Sequence, residues 1–176
     1  MINTILLATG FSLLAYLSGS LTPSIWITRL VKGVDVRDSG SGHATTTNTI
    51  RQAGFVPGAL VFVLDVTKGF LPTWLAVHYA PAWWIIPLTT AMSVVGHCWP
   101  IFAGFRGGMG LATAAGGLLA VNWISLGIGL VVLVIFLLTM RHAARSAVLT
   151  AVVITPLCWL FGLRDTILWV CAFNGV

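Results

Sequence analysis

The sequence predicts an all-α integral membrane protein. It reads as a multi-pass bundle of about seven membrane helices, some short and the last interrupted, forming one domain over residues 1–176. Three observations point there. Hydrophobic residues make up 58% of the chain, and Asp, Glu, Lys and Arg only 7%, against about a quarter charged in soluble domains. Mean hydropathy is +1.00. Apolar runs close to the roughly 20 residues of a bilayer crossing recur along the chain. Such a composition cannot coat a soluble globule, which excludes an ordinary cytosolic enzyme, a disordered chain and a disulfide scaffold. The net charge of +5 is scattered among apolar stretches without a basic stripe, so it suits anionic lipid or an anionic substrate and not nucleic acid.

Each element follows from its residues. The run from Ile2 to Leu30 is longer than a signal core and has no Lys or Arg before Arg29, so Ile5 to Ile27 reads as a first span. The stretch Gly33 to Gly54 is the most polar in the chain, and its hydroxyls and backbone need partners that lipid does not supply. A second span runs from about Val56 to Val77 and carries Asp65, Lys68 and Pro72; a third runs from Trp83 to about Phe102, with Trp83 and Trp84 at interfacial depth. Leu111 to Met140 is long for one helix and short for two. Placing Arg141, His142 and Arg145 on the same side as Arg29, Lys32, Arg37, Arg51 and Arg106 requires two short helices that turn near Asn122-Trp123. A further span covers Ala147 to Leu163, and Arg164-Asp165 mark its outer turn. The closing segment, Thr166 to Val176, rises only about 16 Å as a helix, which reads as an interrupted span of a longer protein. Cys98, Cys158 and Cys171 form no CxxC pair and read as reduced, packed thiols.

This arrangement puts every polar motif on one face of the membrane. Gly40 and Gly42 allow positive φ, so the N–H groups of Gly40 to Asn48 can form an anion nest, with Ser41, Thr47 and Asn48 adding donors and Arg51 able to clamp a phosphate. A flexible polar loop with a Thr cap explains the same residues. If Thr47 starts a helix, its dipole adds to the attraction. Asp65 and Lys68, spaced i,i+3 inside a span, neutralise each other either as part of a site or as a structural pair. His97, before the turn Phe105-Arg106-Gly107-Gly108-Met109-Gly110, is either a base or a hydrogen bond to that turn. Gly116 and Gly117 read as helix packing. No His is followed five positions later by Asp, and HExxH, GxSxG and Walker patterns are missing. No metal or cofactor is implied.

Three stretches together resemble the bacterial acyl-phosphate:glycerol-3-phosphate acyltransferase family, PlsY. Val34-Asp-Val-Arg-Asp-Ser-Gly-Ser-Gly-His-Ala-Thr-Thr-Thr-Asn-Thr-Ile-Arg51 is similar to its Gly-Ser-Gly-Asn-x-Gly-Ala-Thr-Asn-x-x-Arg motif. Leu64-Asp-Val-Thr-Lys-Gly69 resembles its Asp-x-x-Lys-Gly helix. Gly96-His-Cys-Trp-Pro100 with Phe105-Arg-Gly-Gly-Met-Gly-Leu-Ala-Thr113 resembles its Gly-His-x-x-Pro and Phe-Lys-Gly-Gly-Lys-Gly-Val-Ala-Thr pattern.

The resemblance implies a seven-helix enzyme of the bacterial inner membrane with its site facing the cytoplasm. It would move an acyl group from acyl phosphate to the sn-1 hydroxyl of glycerol 3-phosphate, giving lysophosphatidate and phosphate, without acyl-CoA, acyl carrier protein or a protein partner. Carried over residue by residue, Ser41, Asn48, Arg51 and His97 are the expected catalytic set. Gly40, Gly42, His43, Thr47, Lys68, Arg106, Gly107, Gly108 and Ser146 are the expected substrate contacts. His43 replaces the family's Asn, Thr45 a Gly, and Met109 a phosphate-binding Lys. The family's Arg-His-Arg-x-x-Asn-Ile segment does not occur before Val176. Two further readings stay open: a catalytically weakened homologue, and a transporter or channel for a phosphate-bearing solute.

Overall fold

The computed structural model describes residues 2–163. They fold into eight α-helices and two single 3-10 turns, with no strand among the described residues. The helices are α1 (Ile2–Ser20), α2 (Pro23–Lys32), α3 (Thr46–Ala53), α4 (Phe55–Tyr79), α5 (Ile85–Cys98), α6 (Leu111–Val121), α7 (Trp123–Met140) and α8 (Ala143–Leu160). Among the described residues four stretches are long and apolar enough to cross a membrane: Ile2–Lys32, Phe55–Tyr79, Ile85–Ala103 and Trp123–Met140. Large apolar side chains such as Leu6, Val63, Val131 and Leu138 face outward, as a protein with lipid for its solvent requires.

The first span departs from the sequence expectation, for it is two helices. Pro23 has no N–H to continue the ladder, so α1 stops at Ser20 and α2 starts afresh with Pro23 in its first turn. The division of Leu111 to Met140 at Asn122-Trp123 is as expected. Asn122 ends α6 in an extended conformation, and its side chain accepts from Ile124 N at 2.8 Å and Ser125 N at 3.3 Å. That cap satisfies N–H groups at the start of α7. The expected turn at Arg164-Asp165, the segment from Thr166 onward and Cys171 lie outside the described residues.

Glycines set the spacing of the bundle. A side chain at Gly19 would meet the backbone of Ser93, and one at Gly96 the backbone of Tyr16, so α1 and α5 cross backbone to backbone. In the same way Gly69 abuts Thr113 O, and Gly116 abuts Val66 O, which seats α6 on α4. Without a hydrophobic drive between helices in lipid, such close van der Waals approach is the main source of cohesion.

Candidate active site between two helix starts

The polar stretch from Gly33 to Thr45 is ordered from two sides, by Asn48 with Gln52 and by Arg37. Asn48 is fully buried. Its Nδ2 lies 2.7 Å from Val36 O, 3.1 Å from Ser39 O and 3.1 Å from His43 O, and its Oδ1 accepts from Ser41 N at 3.4 Å. Gln52 adds Nε2 bonds to Val36 O (2.7 Å) and Ser39 O (3.2 Å). The second organiser is Arg37. It donates from Nε to Asp35 Oδ1 (3.0 Å), from Nη2 to Asp35 Oδ2 (2.8 Å), and from Nη1 to Ala103 O (2.7 Å) and Arg106 O (3.2 Å). Arg29 reaches Asp35 Oδ2 at 2.6 Å. The Arg37 guanidinium holds the Asp35 carboxyl well below the usual carboxylate range.

The second glycine loop, residues 99–110, lies directly against the first. Ala44 N donates to Gly107 O at 3.1 Å, while Gly107 N and Gly108 N donate to Cys98 O (3.2 Å) and His97 O (3.1 Å). A Cβ on Gly108 would overlap both His97 Nε2 and Ala44 O. The end of α1 steadies this loop, since Tyr16 donates to Trp99 O at 3.0 Å and Ser20 Oγ accepts from Ile101 N at 3.4 Å.

Below the loops lies a buried trio. Lys68 Nζ is 2.9 Å from Asp65 Oδ1 and donates to Leu21 O at 2.8 Å. That carbonyl belongs to the break between α1 and α2. His97 Nδ1 stands 3.6 Å from Asp65 Oδ1. A carboxylate and an imidazole thus meet across α4 and α5, a pairing that no local His–Asp spacing announces.

Two clefts flank the junction of the loops. One is lined by Thr45, Thr46 and Thr47, by Phe62, Asp65 and His97, and by residues 109–112. The other is lined by Gly42, His43, Cys98, Trp99 and residues 105–108. The first cleft receives two helix starts. α3 begins at Thr46 behind Thr45, whose hydroxyl accepts from Asn48 N at 3.3 Å, and α6 begins at Leu111 behind Gly110 at φ +75°. First-turn N–H groups have no partner within their own helix. Those of Thr46, Thr47, Leu111 and Ala112 have none among the described residues either.

Several expectations change as a result. The helix starts at Thr46 and not Thr47. Gly40 and Gly42 do take positive φ, +67° and +70°. Yet the Ser41, Gly42 and Ala44 N–H groups are engaged by Asn48, Ser39 and Gly107, so the loop consumes three of its own donors, while those of Gly40 and His43 have no partner among the described residues. Asn48, expected among the catalytic residues, is buried with its amide engaged by the first loop. Lys68, expected on substrate, is turned toward Asp65 and Leu21. Ser146 is buried in α8 with its hydroxyl donated to His142 O at 3.0 Å, and it lines neither cleft. Ser41 and Arg51 are exposed beside the first loop and line neither cleft. Thr47 and His97 line the first cleft, and Gly42, His43, Arg106, Gly107 and Gly108 the second. Gly40 packs on Asn48. Sequence reasoning did not assign Arg37, Asp35 or Gln52 a place. The Asp-x-Arg spacing ahead of a glycine run was the available signal for the first two.

The fold and this site define an all-helical integral membrane protein whose glycine loops bring two helix N-termini to one cleft. The sequence profile described as glycerol-3-phosphate acyltransferase matches residues 9–175. A glycerol-3-phosphate acyltransferase of Erwinia tasmaniensis is 36% identical over 154 residues, covering 88% of this chain and 75% of that protein. One of Listeria welshimeri is 40% identical over 144 residues, covering 80% and 68%. The crystal structure of PlsY (YgiH), an integral membrane glycerol 3-phosphate acyltransferase, in its glycerol 3-phosphate form, superposes with a TM-score of 0.84 at 34% identity, covering 96% of this chain and 84% of that one. Its lysophosphatidic acid form superposes with a TM-score of 0.82. The chain belongs to the glycerol-3-phosphate acyltransferase family.

Proposed function

We propose that this protein transfers an acyl group from acyl phosphate to the sn-1 hydroxyl of glycerol 3-phosphate, at the cytoplasmic face of a bacterial inner membrane. The observation that carries the reading is the cleft that two helix starts share, with four unpartnered backbone N–H groups on its rim. Helix N-termini attract phosphoryl oxygens through aligned peptide dipoles. PlsY, similar over nearly the whole chain, was crystallised in forms named for glycerol 3-phosphate and lysophosphatidic acid, the acceptor and product of this reaction.

The two clefts suit two substrates. The phosphoryl group of the donor sits at the starts of α3 and α6, where Phe62, Met109 and Leu111 give its acyl portion an apolar wall. The phosphate of the acceptor lies by Arg106 and His43 in the second cleft. Ser41 and Arg51, exposed beside the first loop, are free to close over bound phosphoryl oxygens. The acceptor hydroxyl oxygen attacks the acyl carbon, the bond from that carbon to the phosphate oxygen breaks, and the hydroxyl proton passes to the departing phosphate. A mixed anhydride is already activated, so positioning and stabilisation of the charge growing on phosphate supply most of the acceleration. The cytoplasmic assignment follows from Arg29, Lys32, Arg37, Arg51 and Arg106, which cluster at the loops that form the clefts.

Purified protein mixed with radiolabelled glycerol 3-phosphate and acyl phosphate is expected to yield labelled lysophosphatidate. Product from acyl-CoA alone would overturn the donor assignment.

A further inference from the structure

The geometry points to Arg37, oriented by Asp35, as a positioning residue that holds the second glycine loop, with Arg106, against the first. This inference rests on the proposed acyl transfer for its kinetic readout only.

Arg37 lies two residues from Asp35, which caps the 3-10 turn Val36–Asp38 and takes both Nε and Nη2 of the guanidinium on its two carboxylate oxygens. That pairing fixes the plane of the guanidinium. The remaining edge points across to the other loop, where Nη1 donates to Ala103 O at 2.7 Å and Arg106 O at 3.2 Å. Only 15% of the Arg37 side chain and 10% of the Asp35 side chain are exposed. A planar fork that spends one edge on a carboxylate and the other on two carbonyls has no lysine equivalent.

The contact has leverage on the site. Arg106 O, which Arg37 holds, is one residue from Gly107 O, which accepts from Ala44 N, and two from Gly108, which packs on Ala44 O and His97. Gly104 stands at φ +64° and Phe105 at φ +59°, a region that an L side chain such as Phe105 rarely adopts, so the turn between the held carbonyls depends on contacts that hold it there. Releasing Arg37 leaves one hydrogen bond, Ala44–Gly107, with the packing of Ala103 on Val36 and Ala44 and of Gly108 on Ala44, to set the distance between the loops. The wall between the two clefts, and the place of Arg106 in the second, then loosen together.

The test uses full-length protein in detergent, with Arg37→Ala, Arg37→Lys and Asp35→Asn. A loop displaced by about 1 Å costs on the order of 100-fold in rate. Arg37→Ala and Arg37→Lys are expected to lower kcat/KM for glycerol 3-phosphate about 10–100-fold, chiefly through KM for the acceptor, whose cleft loses the place of Arg106 as well as the shared wall, with a smaller rise in KM for the donor. The thermal midpoint should fall as well, because the largely buried Asp35 carboxylate is left with Arg29 alone, so a loss of stability by itself does not report the clamp. Millimolar guanidinium should restore part of the activity of Arg37→Ala. A second readout is independent of turnover. Cys98 lines the second cleft, and its alkylation by a maleimide, followed peptide by peptide, should accelerate several-fold in both Arg37 variants and in Asp35→Asn.

Wild-type kinetics together with a wild-type Cys98 rate in Arg37→Ala would overturn the proposal. So would a lowered thermal midpoint with an unchanged KM split and no guanidinium rescue. If Arg37→Ala does not fold, Asp35→Asn keeps the Arg37 cation and takes away the carboxylate that orients it, together with the Arg29 pair, and unchanged KM and Cys98 reactivity there would overturn the proposal equally. Should wild-type protein make no lysophosphatidate from acyl phosphate while Cys98 still becomes reactive in the variants, the catalytic reading fails and the clamp stands.

Discussion

Gly108→Ala is the perturbation that presses hardest on the junction of the two loops. The added methyl overlaps His97 Nε2 and Ala44 O and lies 3.2 Å from His97 Cδ2. None of these yields freely. Ala44 N is tied to Gly107 O at 3.1 Å, His97 O holds Gly108 N at 3.1 Å, and the His97 ring is buried beside Asp65. To regain ordinary van der Waals separation the loops must part by on the order of 1 Å. Overpacking of this kind costs about 1–3 kcal/mol in stability. The rate consequence is larger, because a 1 Å misplacement costs about 100-fold. The assay is lysophosphatidate formation from acyl phosphate, with thermal unfolding in detergent alongside. Gly42→Ala is the control. Its methyl meets nothing closer than Arg37 O at 3.9 Å, but φ is +70°, so it bears about 1–2 kcal/mol of backbone strain without forcing the wall apart. Gly108→Ala with wild-type kcat/KM would refute the reasoning, and so would Gly42→Ala proving the more damaging of the two.

Three other predictions follow from the same contacts. Lys68→Met strands the buried Asp65 carboxylate and frees Leu21 O, so the thermal stability should fall by about 3–5 kcal/mol; Asp65→Asn added to it should recover most of that loss in the same unfolding measurement. Asn48→Ala takes the amide from three loop carbonyls and should cost about 1–3 kcal/mol, seen as faster hydrogen exchange across residues 39–45 with total helix content unchanged. The third concerns acid. Asp35 has its carboxyl pKa lowered by Arg37, so its stabilising contribution is fully present above the unfolded value of about 3.9 and is lost only as the pH drops below that. Unfolding curves should therefore show no loss from this pair between about pH 5 and 7, and Asp35→Asn should flatten the acid limb that wild type shows at lower pH.

How legible the molecule was in its sequence depends on the range of each contact. The membrane class, the polar loop after the first span and the break at Asn122 follow from composition, basic flanks and a capping residue, all local properties. The break before Pro23 was also written locally. It was hidden because the hydrophobic run continues through it and a proline in the first turn of a new helix leaves hydropathy untouched. The site was legible at the level of which loops bear on it. It was not legible in which groups face the cleft, since that depends on which N–H groups the loops consume themselves, and Asn48 and Gly107 decide that through contacts made in space. Arg37 looked like one more surface cation because its partners, Ala103 O and Arg106 O, are backbone atoms far along the chain. Lys68 looked like a ligand for substrate because its other partner, Leu21 O, is a carbonyl made available only by the helix break.

The starts of α3 and α6 carry one more consequence. Peptide N–H groups are alike in every protein, bear no titrating proton and are lost to substitution only where proline is introduced. An attraction for phosphate that rests on them is therefore insensitive to acidity except through the ionisation of the phosphate itself, near pH 6 for its second proton. It also survives drift in the flanking side chains, so a position such as Met109 is free to change character while the two amide ends still converge.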